Sequence, residues 1–268
     1  MTLVQRALIN SCGDFPAAVE TASGSAMPNL GAMPEWDLSD LYASPEAAEV
    51  AADLEKGAAD AKALKANYQG KLLDMGGDGA KLAAAVKAYE ALSDLLGKLG
   101  SYAGLLYAGD QSDPKRAKFY GDISEKLTQI STDLLFFELE LNQIPNDVLA
   151  SALTHPDLAR YKPWFDDLRK EKPHQLDEQL EKLFHEKGQT ARGAWNRLFN
   201  ETMSGLRFDV SGFDEPLTLE PTLNLMSDPS AEKRKAGGEA IAKVLGDNVR
   251  LFTLITNTLA KDKEISDR

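Results

Sequence analysis

From Trp36 onward, apolar residues recur every three or four positions along the chain, which is the period of an amphipathic α-helix. Gly70 ends the first apolar stripe, Gly109 lies near the end of the second, and Pro145 ends the third. The second and third stripes each predict a helix of about 30 residues, and the short GDQSDP turn between them predicts antiparallel packing. The stripes comprise Val50, Leu54, Ala58, Ala61, Leu64 and Tyr68; Leu82, Val86, Tyr89, Leu92, Leu96, Leu99, Ala103 and Leu106; and Tyr120, Leu127, Ile130, Leu134, Phe137 and Leu141.

Several positions predict where helices begin. The second long helix is expected to start at Asp78. Three dipeptides each place a side-chain acceptor at an N-cap and a proline at the first helical position, where the missing N–H of proline costs nothing. These dipeptides are Ser44-Pro45, Asp113-Pro114 and Asp228-Pro229.

Beyond Pro145 the pattern predicts shorter elements. Prolines interrupt the helical period, so we expect short helices within 157–172 and 177–187 and a further helix over 190–206. Polar and apolar residues alternate around SGFDEP, which predicts a small β-hairpin near 207–220.

The last part of the pattern returns to the helical period from Asp228, and the final helix is expected to begin near Asp247. The apolar stripes are expected to form the core. The predicted fold is therefore mainly α, a long antiparallel helical bundle followed by shorter helices and one small β-hairpin.

Composition narrows the classes of partner. Of the 268 residues, 43% are hydrophobic, so the chain can bury a core without a metal or a disulfide. The net charge of -12 would repel the phosphates of nucleic acid, and no stretch reaches the roughly 20 apolar residues of a membrane-spanning helix. Cys12 is the single cysteine, which favours the cytoplasm. We expect a cytoplasmic protein with no nucleic-acid partner and no membrane partner.

Residues 183–190 read LFHEKGQT and begin like the zinc-peptidase motif H-E-x-x-H. Zinc binding by that motif needs two imidazoles one helical turn apart, but Gln189 stands where the second histidine would be. Gly188 also interrupts the helix that the motif requires. We therefore interpret His185 as a residue near a helix C-terminus that interacts favourably with the helix dipole.

No other stretch predicts a catalytic, cofactor-binding or metal-ligating residue. His155 and His174 lie beside prolines without a paired ligand, which is typical of surface residues. Cys12 falls in residues 1–33, an Ala-, Ser-, Gly- and Pro-rich segment without a period that we interpret as a flexible leader. The GGDG at 76–79 follows no predicted strand and favours a helix-capping turn over a phosphate loop.

Four separate stretches resemble one family, in the order in which that family has them. They are MPEWDLSDLYASPEA, NYQGKL, RKEKPHQLDEQLEKLF followed by TARGAWNRLFNETMSGLRF, and LTLEPTLNLMSDPSAEKRKAGGEAIAKVL. From about residue 34 to the end, the chain is similar to oligoendopeptidase F and its relatives among the zinc metallopeptidases.

The resemblance implies a helical N-terminal domain of oligoendopeptidase F type over 34–206, and over 207–268 the hairpin and helices that begin a peptidase domain. In that family zinc is held by the two histidines of H-E-x-x-H and a downstream glutamate, and the substrates are short peptides. No position of this chain matches those residues. The resemblance therefore implies a truncated chain without bound zinc and without its own activity, forming one wall of the substrate channel of a full-length zinc enzyme.

Two other interpretations remain open from the residues alone. The chain could be a stand-alone helical module that binds a peptide or a protein, or a structural helical protein whose similarity is accidental. If the chain is truncated, the apolar stripes over 195–206 and 249–259 should be exposed and should drive self-association.

Overall fold

The computed structural model describes residues 36–267, whose regular structure is almost entirely helical, so the predicted mainly α fold is confirmed. The predicted leader at 1–33, with Cys12, lies outside the described residues. None of the described helices combines the length and the apolar character needed to cross a bilayer. The α-helices are α1 (Ala48–Tyr68), α2 (Leu72–Met75), α3 (Gly79–Gly109), α4 (Pro114–Thr132), α5 (Leu135–Gln143), α6 (Asn146–Ala152), α7 (Pro156–Ala159), α8 (Lys162–Glu171), α9 (Glu178–Lys187), α10 (Arg192–Gly205), α11 (Leu219–Asn224), α12 (Ala231–Asp247) and α13 (Val249–Ser266).

The described residues divide into two compact units. Unit 1 consists of Trp36–Gly109 and Lys115–Lys187, and unit 2 of Asp110–Pro114 and 188–267. The boundary proposed from the sequence at 206 and 207 separates a helical domain from the start of a peptidase domain, and it stays a prediction.

Helix α3 is the centre of unit 1, and its apolar stripe is buried as predicted. Tyr107 of α3 stacks on Tyr120 of α4 near the connecting turn, with ring centroids 4.9 Å apart. Far from that turn, Tyr89 stacks on Phe137 of α5 at 4.4 Å. Because the residue numbers run in opposite directions between the two contacts, the predicted antiparallel packing is confirmed.

Helix α1 packs antiparallel against the same central helix. Asp53 of α1 lies 3.5 Å from the ammonium of Lys98, and the Asp53 carboxylate accepts a hydrogen bond of 2.8 Å from the hydroxyl of Tyr42. The Lys98 ammonium also lies 4.0 Å from the centroid of the Tyr42 ring. Burial, followed by the contact with Asp53, raises the pKa of Tyr42, so this hydroxyl stays protonated and donates to the carboxylate.

The prediction of one continuous third helix is wrong, because the chain leaves the α-helical conformation between α4 and α5. The hydroxyls of Ser131 and Thr132 donate to the backbone carbonyls of residues one turn earlier, at 2.7 and 2.8 Å. The amides of Asp133 and Leu134 then bond to carbonyls three residues back, which tightens the chain out of the α-helical pattern. Hydrophobic periodicity continues across the break, so the stripe alone did not reveal it.

The predicted helix starts are partly confirmed. Helix α4 begins at Pro114, and α3 begins one residue after Asp78, whose carboxylate accepts the amides of Ala80 and Lys81.

The other two predicted helix starts are wrong by two or three residues. Ser230 rather than Asp228 is the N-cap of α12, because its hydroxyl accepts the amide of the third helical residue at 3.4 Å. After Ser44 the chain makes a turn, in which the Ala47 amide bonds to the Ser44 carbonyl, before α1 begins at Ala48.

The predicted hairpin of unit 2 is reduced to a single antiparallel bridge between Phe208 and Leu217. These two residues exchange both backbone hydrogen bonds, at 2.8 and 2.9 Å. The second predicted strand instead enters α11 at Leu219, where Pro221 fits the first turn of a helix but would interrupt a strand ladder. The core of unit 2 is small and consists of Phe208, Val210, Leu225 and Ala240, with partly buried neighbours.

Candidate functional site

His185 lies in the last turn of α9, as predicted, and its ring is hydrogen-bonded to another helix of unit 1. Its Nε2 atom lies 2.8 Å from the hydroxyl of Ser131 on α4. Burial lowers the pKa of His185, and the Thr128 backbone and the charges of Glu186 and Glu181 oppose that shift. The neutral imidazole is therefore favoured, and the favourable interaction of His185 with the helix dipole stays a prediction.

The Ser131 and His185 pair has the composition of a nucleophile and a base, but its geometry does not suit that chemistry. Ser131 is buried, and its hydroxyl already donates to the carbonyl of Leu127 at 2.7 Å. Since a hydroxyl has one proton, we assign the tautomer of His185 whose Nε2–H donates to the Ser131 oxygen. A base that donates its proton to the hydroxyl cannot activate it. The pair therefore attaches α9 to α4.

This contact predicts a pH dependence of stability. Because the pKa of His185 is lowered below its ordinary value of 6.5, the unfolded state binds more protons than the folded state as the pH falls. The stabilisation is present above the unfolded pKa and is lost as the pH falls through it. Glutamine keeps an N–H donor but does not titrate. We expect the stability of wild type relative to His185→Gln, measured by urea unfolding, to fall between about pH 7 and pH 5. A difference that is constant across this range would contradict the assignment.

His155 and Asp78 cap helices, and His174 is a surface residue. The Nδ1 of His155 accepts the amide of Asp157 at 3.3 Å and caps α7. His174 is exposed in a short 3-10 helix. In GGDG, Asp78 caps α3, and the hydrogen bond from the Lys81 amide is the main cause of its lowered pKa. The predicted helix-capping turn is confirmed.

Gln189 lies beyond the C-terminus of α9, so it does not share a helical face with His185. Within residues 36–267 there is also no group of three or more histidine, cysteine, aspartate or glutamate side chains placed to hold a metal ion. The geometry around His185 therefore does not fit zinc.

Helix α9 exposes its apolar side chains. None of its residues is buried, and the side chains that point outward recur at the helical period. We call these residues, with the leucine just before the helix, the α9 face. It consists of Leu176, Leu180, Leu183 and Phe184, which are 48%, 42%, 53% and 52% exposed.

Unit 2 has a second exposed apolar surface, formed by α10 and α13. Helix α10 has no buried residue, so its stripe is not part of the core, in line with the exposure expected of 195–206 in a truncated chain. Phe199 of α10 meets Phe252 of α13 edge to face, with ring centroids 5.7 Å apart. The exposed large apolar residues of these two helices include Leu198, Phe199, Val249 and Leu254.

The comparisons with known proteins agree with the helical architecture. Residues 140–208 match a family model described as Oligopeptidase F. The matched segment includes both α9 and α10. The chain is also 26% identical over 246 residues to the oligopeptidase PepF of Bacillus subtilis (strain 168), an alignment that covers 85% of this chain and 34% of PepF. The chain resembles the N-terminal portion of an oligoendopeptidase F.

In the alignment with PepF, this oligoendopeptidase F-like portion spans about a third of the length of PepF. A solved structure supports the fold. The crystal structure of oligoendopeptidase-F from Enterococcus faecium superimposes with a TM-score of 0.69 and 18% identity, covering 81% of this chain and 43% of that chain.

The exposed α9 face was the feature of the oligoendopeptidase F-like portion that the sequence did not predict. Apolar residues at helical spacing in 176–184 were visible, but spacing does not show which side of the helix meets the core. The hydrogen bond between His185 and Ser131 joins residues far apart in the chain, so no local sequence pattern predicted it.

Proposed function

We propose that this chain is the N-terminal part of a zinc-dependent oligoendopeptidase that hydrolyses short peptides, and that its helices form one wall of the substrate channel. The observation that carries the proposal is the alignment with PepF, which follows 85% of this chain but only 34% of PepF. The Oligopeptidase F match at 140–208 supports it independently. The cytoplasmic location, the absence of nucleic-acid partners and self-association belong to the same proposal.

Zinc in such an enzyme would polarise the scissile carbonyl and lower the pKa of a bound water. The histidines of this chain do not fit that role, since His185 contacts Ser131 and His155 caps α7. We propose that the ligands belong to polypeptide outside these 268 residues and that this chain alone is inactive. Its contribution would be to bind and orient the peptide and to limit its size.

The proposal is tested by measuring metal and activity together. We expect the purified 268-residue chain to carry no stoichiometric zinc and to leave internally quenched oligopeptides intact. The native gene product in which these residues occur should contain zinc and cleave the same peptides, and a chelator should abolish cleavage. A native product without an H-E-x-x-H motif and without cleavage would remove the enzyme claim. Peptide cleavage by the 268 residues unaided would overturn the assignment of the ligands to other polypeptide.

A second candidate function is a stand-alone helical module that binds a peptide or protein without catalysis. The exposed α9 face favours it, because large apolar side chains grouped on one surface commonly mark a binding site. The same assay separates the two candidates, since only the first predicts hydrolysis by the native product.

A further inference from the structure

Helix α9 turns a polar row toward unit 1. Its two half-buried residues, Glu181 and His185, lie four positions apart and so share one side of the helix, while its other residues are exposed. That side faces inward, because Nε2 of His185 lies 2.8 Å from the Ser131 hydroxyl of α4. No residue of α9 is buried, so burial of apolar surface contributes little to holding this helix in place.

Hydrogen bonds attach α9 near both of its ends. Near the N-terminus, the side-chain amide of Gln69, which follows α1, donates to the carboxylate of Glu178 at 3.1 Å. Near the C-terminus, His185 contacts Ser131. Folding exchanges such bonds for hydrogen bonds to water, so each contributes modestly to stability. These attachments are therefore weak compared with those of a helix that buries large apolar side chains.

Helix α9 is also separated from its neighbours along the chain. Before it, Pro173 in a short 3-10 helix lacks the amide hydrogen that would continue the helical ladder from α8. After it, the next helix begins only at Arg192. With ten residues, α9 is shorter than the roughly 12–15 residues that an isolated helix needs to persist in water. It should therefore unfold when it leaves α4.

Helix α8 provides an internal reference. It also has ten residues and precedes α9 directly in unit 1, but its Phe165 and Leu168 are buried in the core. No side chain of α9 belongs to that core. The two helices thus have equal length but differ in the apolar burial that holds them.

We propose that residues 175–187 form a detachable strap, which opens from unit 1 and unfolds while the helices around it stay folded. Opening separates the His185 ring from Ser131, and it requires no rearrangement of the apolar core of unit 1. Water can replace the polar contacts that are lost. The strap gives the helical unit one element that can move without unfolding the rest.

Hydrogen exchange of the purified 268-residue chain, followed by mass spectrometry at pH 7, tests the proposal. After correction for intrinsic rates, we expect the amides of α9 to exchange at least about a hundredfold faster than those of α8. Exchange in α9 should hardly change in low urea, since local opening exposes little surface, whereas exchange in α8 should accelerate. Equal rates and equal urea dependence for the two helices would overturn the proposal.

The variant Ser131→Ala tests which contact closes the strap. It removes the hydroxyl that contacts His185, a contact that is present when the strap is closed and lost when it opens. We therefore expect exchange in α9 to become about fivefold faster, as the loss of one hydrogen bond predicts. Exchange in α8 should also become faster, because global unfolding breaks the same contact.

The matched control is Thr132→Val. It removes the neighbouring hydroxyl, whose hydrogen bond to the Thr128 carbonyl lies within α4 and therefore survives opening of the strap. We expect faster exchange in α8 but no change in α9. If Ser131→Ala leaves exchange in α9 unchanged, or if Thr132→Val accelerates it equally, the proposal is overturned. These measurements need neither substrate nor metal, so their outcome is independent of the proposed peptidase activity.

Discussion

Replacing Phe137 with alanine should lower the free energy of unfolding of unit 1 by about 3–5 kcal/mol. The Phe137 side chain is fully buried and stacks on Tyr89 with ring centroids 4.4 Å apart. Alanine removes the aromatic contact and leaves a cavity that the surrounding helices can fill only partly. Urea unfolding followed by far-ultraviolet circular dichroism measures the change.

Phe184→Ala is the matched control, because it removes the same atoms from a position that is 52% exposed. We expect it to change the free energy of unfolding by less than about 0.5 kcal/mol. If the two substitutions cost the same, the burial of Phe137 or the exposure of Phe184 is wrong.

Arg169→Ala should destabilise unit 1 by about 2–3 kcal/mol. Arg169 of α8 donates from Nη1 to the carbonyl of Asn142 at 2.6 Å and from Nη2 to the carbonyl of Ile144 at 2.7 Å. Asn142 and Ile144 are fully buried, so the variant leaves carbonyls at the end of α5 without a protein donor. Burial lowers the pKa of Arg169, yet arginine stays charged over the range in which proteins fold.

Two further variants isolate the forked geometry. Arg169→Lys keeps the charge but presents one point donor, so it should recover only part of the loss. Arg160→Ala removes an exposed ion pair with Glu90 and should cost less than about 1 kcal/mol. Full recovery by lysine would show that charge, rather than the two carbonyl contacts, is what stabilises this position.

The long helices of unit 1 could be predicted because local periodicity and global burial agree there. Leu82, Leu96 and Leu99 recur at the helical period, and α3 buries all three. Asp113-Pro114 and Gly109 bracketed the connecting turn correctly. The break between α4 and α5 was missed because Leu134 and Phe137 continue the apolar stripe. The hydroxyls of Ser131 and Thr132 that help to end the helix do not change that stripe.

The candidate site was less predictable. The failure of LFHEKGQT as a zinc motif could be read from Gln189 and Gly188, because metal ligation depends on residue type and spacing. The sequence could not predict that the leucines of α9 are exposed, because an apolar stripe has the same pattern whether it faces a core or the surface.

By itself, the sequence determined the helical class, the long antiparallel pair and the resemblance to oligoendopeptidase F, because periodicity, capping residues and motifs are properties of neighbouring positions. The tertiary structure alone decided which stripes are covered. Burial depends on contacts between distant segments, such as the one between Ser131 and His185 that turns the polar side of α9 inward and leaves Leu183 and Phe184 exposed.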